Sequence, residues 1–159
     1  LIEAYGHLGL SGFDLVVVGS LNYLDNQRLS QRLAKLRTRN QVCFLGYVPD
    51  EDLPGLYCGA EVFVFPSLYE GFGLPPLEAM ACGCPVVASN TSSLPEVCGD
   101  AAYYVDPYDI ESIAEGIRAV VSDSDLKRSL RHKGIERAKM FTWEKTVKQV
   151  LHVINEVSK

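Results

Sequence analysis

The sequence has little basic charge and no long apolar segment, and these two shortages argue against several classes of protein. Its 15 lysines and arginines are outnumbered by 20 aspartates and glutamates, which makes the formal net charge −5. This balance disfavours nucleic acids and anionic membranes as partners. No apolar run approaches the roughly 20 residues that a membrane-spanning helix needs. The remaining composition, 47% hydrophobic and 22% charged over 159 residues, is typical of one globular domain with its own core.

Cysteine is present without the pattern of a disulfide framework or a zinc site. The five cysteines are odd in number and lie mostly within apolar stretches: Cys43, Cys58, Cys82, Cys84 and Cys98. The spacing of Cys82 and Cys84 is not that of a zinc knuckle. We therefore expect buried free thiols in a reducing, cytoplasmic environment, with no metal bound.

Hydrophobic periodicity predicts alternating strands and helices along most of the chain. Strands are expected at 14–19, 41–45, 61–65, 85–88 and 102–105, and helices at 1–8, 25–37, 49–58, 73–82, 94–97, 109–122, 125–139 and 142–157. Strands that are apolar at every position indicate a parallel sheet covered on both faces. The βα order predicts a doubly wound, Rossmann-like α/β fold over residues 1–159.

Such a sheet binds its ligands at the carboxyl ends of the strands. Four segments should therefore lie along one rim of the sheet: Gly19-Ser20, Gly46 to Val48, Pro66 to Phe72, and Ser89-Asn90.

One of these segments carries the strongest functional signal. A hydrophobic strand runs into a glycine-bearing loop with Glu70, and the loop opens a helix that carries Glu78, eight positions later. Backbone N–H groups and the helix dipole favour an anion at such a helix start. Two carboxylates would repel a bare phosphate but suit hydroxyl groups. A ligand that has both phosphates and hydroxyls is a nucleotide sugar.

The residues around these glutamates resemble a known family. The stretch 63–89, FVFPSLYEGFGLPPLEAMACGCPVVAS, resembles the donor-binding half of a GT-B glycosyltransferase of the retaining group 1 family. That family includes bacterial mannosyltransferases, sucrose synthases and glycogen synthases. The segments Phe44 to Pro49, Leu94 to Val97 and Asp106-Pro107 also fit it, so the resemblance covers essentially the whole chain.

The resemblance implies a role for each candidate site residue. Glu70 would hold hydroxyls of the donor sugar and be the catalytically important side chain, and Glu78 would bind the ribose. Backbone groups would contact the sugar and diphosphate at Gly71, Phe72, Gly73 and Leu74, and the base at Tyr47 and Val48. The ligand would be a GDP- or UDP-linked sugar, with neither a metal nor another cofactor. Tyr47 and Phe72 could instead be packing residues.

The segment from Gln41 to Ile117 contains no lysine, arginine or histidine. A departing nucleoside diphosphate needs compensation of its charge, and an exposed helix dipole supplies only about 0.3–1 kcal/mol. In the family an arginine and a lysine supply it, from the loop after the first strand of this domain, and this chain begins after that point. We therefore expect a fragment without its first strand and without the acceptor-binding domain. The isolated fragment would be inactive, and any peripheral membrane contact would lie in the missing part.

Two alternatives to a transferase domain remain. One is a nucleotide-sugar epimerase of the same architecture, which would need acid–base groups that this stretch supplies only as carboxylates. The other is a noncatalytic nucleotide-sugar-binding fragment.

Overall fold

The computed structural model describes residues 1–9, 12–19, 33 and 41–158. In chain order, these contain α1 (Ile2–Leu8), β1 (Leu15–Val18), β2 (Val42–Gly46), α2 (Leu53–Gly59), β3 (Phe63–Phe65), α3 (Leu74–Ala81), β4 (Val86–Ser89), α4 (Leu94–Cys98), a 3₁₀ turn (Gly99–Ala101), β5 (Ala102–Val105), α5 (Ile110–Ser122), α6 (Ser124–Ala138) and α7 (Trp143–Val157). Apart from position 33, the helix expected at 25–37 lies outside the described residues.

Every strand pairing in the described part of the chain is parallel. Strands β1 and β2 form one pair, and β3, β4 and β5 form a three-stranded sheet in that order. Consecutive parallel strands need a crossover connection, and α3 lies between β3 and β4 in the chain while α4 lies between β4 and β5. The predicted parallel α/β fold is confirmed.

The three-stranded sheet is packed on both faces. Val86 and Ala88 of β4 belong to a core cluster with residues of α3 and α4, and Val87 belongs to a second cluster with residues of α1 and α5. Because successive side chains of a strand point to opposite faces, the two clusters lie on opposite sides of β4. All four residues of β4 are buried. This is the doubly wound arrangement that the apolar strands predicted.

The β1–β2 pair departs from that expectation. Burial alternates along both strands, and Val16, Val18 and Leu45 are 47%, 43% and 43% exposed. No described element covers the face that carries these side chains. The apolar pattern therefore predicted both strands correctly, while the described part of the chain leaves one face of this pair exposed.

Two elements in the described ranges begin two or more residues later than predicted. Helix α2 begins at Leu53, so the acidic residues 50–52 precede the helix instead of forming its first turn. Pro54 sits in the first turn of α2, where its missing N–H costs nothing. Strand β3 begins at Phe63, two residues later than expected.

The last two helices, α6 and α7, differ in how much of their surface is buried. Helix α6 pairs two of its lysines with acids of other segments, Lys127 with Glu61 and Lys133 with Asp100, which agrees with a solvated helix face. Helix α7 is capped by Thr142, as predicted, but buries none of its residues. Within the described ranges, no helix combines the length and the apolar content that crossing a bilayer requires.

Candidate functional site

The loop between β3 and α3 holds Glu70 in a defined position. The Glu70 carboxylate accepts a hydrogen bond from Ser67 Oγ at 2.8 Å, and the residue is only partly exposed. Ser67 is held in turn, because the fully buried Ser89 at the end of β4 donates from Oγ to the Ser67 carbonyl at 2.6 Å. The glutamate predicted to bind sugar hydroxyls thus lies at the carboxyl end of the sheet. The hydrogen bond from Ser67 restrains its side chain.

The loop that follows β4 supports the backbone of the same segment. Ser92 Oγ accepts from the Glu70 N–H at 2.9 Å and donates to the Glu70 carbonyl at 2.7 Å. Ser93 Oγ contacts two carbonyls, that of Glu70 at 3.0 Å and that of Phe72 at 2.7 Å. Ser92 has a φ of +57°, an uncommon backbone conformation for a residue other than glycine.

Helix α3 is preceded by a glycine because the backbone conformation at that position requires one. Gly73 precedes the helix with φ +112°, and a Cβ at this position would come within 2.8 Å of Leu94 Cδ2. No side chain caps this helix start. Pro75 and Pro76 have no N–H, so the first turn has fewer free donors than an ordinary helix N-terminus. The donors that remain near this helix start are mainly the amides of residues 71–74, fewer than an ordinary helix N-terminus offers.

Glu78 lies in α3 with its side chain exposed and paired. Tyr57 of α2 donates from its hydroxyl to Glu78 Oε2 at 3.2 Å, and the Tyr57 ring packs edge-on against Phe63. Burial raises the pKa of Tyr57, and the charge of Glu78 raises that pKa further. The tyrosine therefore stays protonated at neutral pH. It can act as a hydrogen-bond donor to the glutamate that is predicted to bind the ribose.

A second group of predicted residues lies at the end of the β1–β2 pair. Gly19 donates its N–H to the Gly46 carbonyl at 2.9 Å, and both glycines have positive φ. Tyr47 is 80% exposed, so it is not a packing residue in the described structure, and Val48 is intermediate. Ser20 lies outside the described residues. Among the described residues, no hydrogen bond joins this group to the Glu70 loop.

The residues that hold the loop in place differ from those predicted from the sequence. Ser67, Ser92, Ser93 and Tyr57 were not among the predicted site residues. A signal was available for Ser92 and Ser93, because hydroxyl side chains at 91–93 follow the predicted rim segment Ser89-Asn90. Tyr57 had no such signal, since nothing local indicates which acid a helix tyrosine contacts.

The cysteines are free thiols, as predicted, but fewer are buried than expected. Cys84 and Cys98 are buried, and burial raises the pKa of each thiol to about 11. Cys82 is intermediate, and Cys43 and Cys58 are exposed. Within the part of the chain that the structure describes, no three His, Cys, Asp or Glu side chains form a group that could hold a metal ion.

The parallel α/β fold, with the glutamate loop at the carboxyl ends of its strands, is that of a GT-B type domain. A sequence model of the family "Glycosyl transferases group 1" matches residues 1–141. The chain belongs to this family. It is also 42% identical over 155 residues to the O-antigen chain mannosyltransferase B of Escherichia coli, a match that covers 96% of this chain and 40% of that protein.

Solved structures share the fold. Sucrose-phosphate synthase from Thermosynechococcus elongatus superposes with a TM-score of 0.84 at 29% identity, over 98% of this chain and 41% of that one. Anabaena HepE, solved in complex with UDP and glucose, gives 0.86 at 23% identity, over 98% and 43%. The second likeness concerns the fold alone. The chain spans about two fifths of the length of these proteins.

Proposed function

We propose that this chain is the donor-binding domain of a retaining glycosyltransferase that takes a hexosyl group, of the mannosyl type, from a nucleoside diphosphate. The observation that carries the proposal is Glu70, held by Ser67 on a loop whose carbonyls are fixed by Ser92 and Ser93. A restrained carboxylate beside free backbone amides suits a ligand that has hydroxyls next to phosphates. The relative named as a mannosyltransferase supports a mannosyl donor.

The described residues suggest a catalytic contribution through binding and orientation. Glu70 would accept hydrogen bonds from sugar hydroxyls, and the amides of residues 71–74 would contact the sugar and the diphosphate. Glu78, supported by Tyr57, would bind the ribose, while Gly19 and the backbone at Tyr47 would line the side of the base. Holding the reacting groups in one geometry can supply much of the barrier reduction. We propose no metal or other cofactor for this step.

The cations that stabilise the leaving diphosphate and the acceptor-binding domain would belong to a longer protein that contains this domain. Residues 41–117 contain no lysine, arginine or histidine, so the charge of the leaving diphosphate would be compensated by cations outside this segment. The relatives' greater length supports an additional acceptor-binding domain. The exposed thiols of Cys43 and Cys58 support a reducing location such as the cytoplasm.

Substitution of Glu70 tests the proposed role directly. In the longer protein that contains this domain, Glu70→Ala should lower kcat/KM for the nucleotide sugar about 10- to 100-fold, because a charge-assisted hydrogen bond is worth about 1.5–3 kcal/mol. Turnover would be measured against a panel of GDP- and UDP-linked sugars, with products identified in the presence and absence of acceptor.

A matched control separates this effect from general damage. Glu115 is an exposed glutamate of α5, and Glu115→Ala should leave turnover within about twofold of the wild type. Turnover of the Glu70→Ala variant at the level of the control would refute the role of Glu70. An altered sugar formed without any acceptor would favour the epimerase instead.

A further inference from the structure

The Phe72 side chain lies outside the core and contacts a residue that is distant in the sequence. Its ring is 45% exposed and lies edge-on to the ring of Phe141, with centroids 5.8 Å apart. Phe141 lies just beyond α6 and one residue before Thr142, the cap of α7. A contact between positions 72 and 141 therefore links the glycine loop to the C-terminal segment. Such aromatic pairs contribute beyond the area that they bury.

Arg137 holds Phe141 in position. Its guanidinium lies 5.1 Å from the centre of the Phe141 ring, in cation–π geometry. The same guanidinium donates from Nε to the Val97 carbonyl at 2.8 Å and from Nη2 to the Glu96 carbonyl. Gly99 leaves the space for it, since a Cβ there would come within 3.3 Å of the guanidinium.

Helix α4 connects these contacts to the glycine loop. At the start of α4, Ser93 Oγ donates to the Phe72 carbonyl. At the end of α4, Arg137 donates to the Val97 carbonyl, one of the carbonyl groups that have no partner within a helix. Phe141, which Arg137 contacts, then packs against the side chain of Phe72. The loop is thereby held through both the backbone and the side chain of Phe72.

We propose that Phe141, held by Arg137, is a positioning residue for the donor-binding loop. It acts through the side chain of Phe72, which lies between Gly71 and Gly73 and adds a second restraint to the backbone hydrogen bonds from Ser92 and Ser93. This inference rests on the proposed function, because it assigns Phe141 to the alignment of the 71–74 amides with the donor. Phe141 itself contacts no ligand in this proposal.

The first test measures loop mobility and needs no ligand. Hydrogen exchange of the Glu70 amide, which donates to Ser92 Oγ at 2.9 Å, would be compared in the 159-residue chain and its Phe141→Ala variant. We expect exchange at this loop amide to be about fivefold faster in the variant, with the amides of β4 unchanged. Phe141→Tyr keeps the ring and should restore the wild-type rate. Tyr108→Ala, which removes an equally large exposed aromatic side chain, should have no effect.

The second test measures donor use in the longer protein. Phe141→Ala should raise the KM for the nucleotide sugar about fivefold per folded molecule, leave the KM for the acceptor unchanged, and be rescued by Phe141→Tyr. A purely structural role would lower thermal stability while leaving loop exchange and donor KM as in the wild type, and that result would overturn the proposal. If the wild type uses no nucleotide sugar, the proposed function fails, and the exchange experiment still decides whether Phe141 restrains the loop.

Discussion

At the residue scale, position 73 requires a glycine for two reasons, its backbone conformation and the space around it. Its φ of +112° is unfavourable for any side chain, and a Cβ would overlap Leu94 Cδ2 at 2.8 Å. Gly71, two positions earlier, has neither constraint: nothing lies within 4 Å of a Cβ built there. The two glycines therefore look alike in sequence but differ in what they contribute to the structure.

This difference gives a residue-scale prediction. Gly73→Ala should lower the free energy of unfolding by roughly 2 kcal/mol, because a non-glycine residue in such a conformation is strained by about 1–3 kcal/mol. Gly71→Ala should change it by less than about 0.5 kcal/mol. Urea denaturation followed by circular dichroism would measure both. Equal stability of the two variants would contradict the role assigned to Gly73.

At the element scale, the close packing of α5 on β5 depends on a helical glycine. A Cβ at Gly116 would lie 2.4 Å from Val105 Cγ1 and 3.2 Å from the Tyr103 ring. Propensity alone would favour alanine in a helix by about 1 kcal/mol. The observed approach of α5 to the sheet therefore outweighs helix propensity at this position.

The corresponding prediction compares two helical glycines. Gly116→Ala should destabilise the protein by about 1–3 kcal/mol, as overpacked core positions do. Gly55→Ala in α2 should stabilise it by up to about 1 kcal/mol, since nothing lies within 4 Å of a Cβ there. Thermal unfolding of both variants would measure the two shifts. Shifts of the same sign would show that propensity, and not packing, decides at Gly116.

At the scale of the whole molecule, α7 stands apart from the rest of the described fold. Its residues are all exposed, including Trp143 at 80% and Val157 at 81%. The groove beside Trp143 is lined by residues of α7 alone, so it is part of the helix surface and not a pocket of the domain. The apolar side chains of α7 therefore contribute little to the stability of this chain.

Removal of α7 tests that conclusion. A chain that ends at Thr142 should unfold with a free energy within about 1 kcal/mol of the full chain, since little apolar area is lost from the core. Met80→Ala, at a fully buried position, should cost about 2–5 kcal/mol. Denaturant titration of both would make the comparison. A truncated chain as unstable as the Met80 variant would show that α7 packs on the domain in solution.

The sequence by itself determined the parallel α/β fold, the position of the glutamate loop and the start of α3. These depend on local chemistry: apolar strands, glycines where the chain turns, and prolines that fit only the first turn of a helix. Only the tertiary structure decided which groups hold the loop. Ser92, Ser93 and Phe141 reach it from segments that are distant in the chain, and the burial of a strand face depends on which elements pack against it. Contacts of this kind arise from the packing of whole elements, which the residues around the loop do not encode.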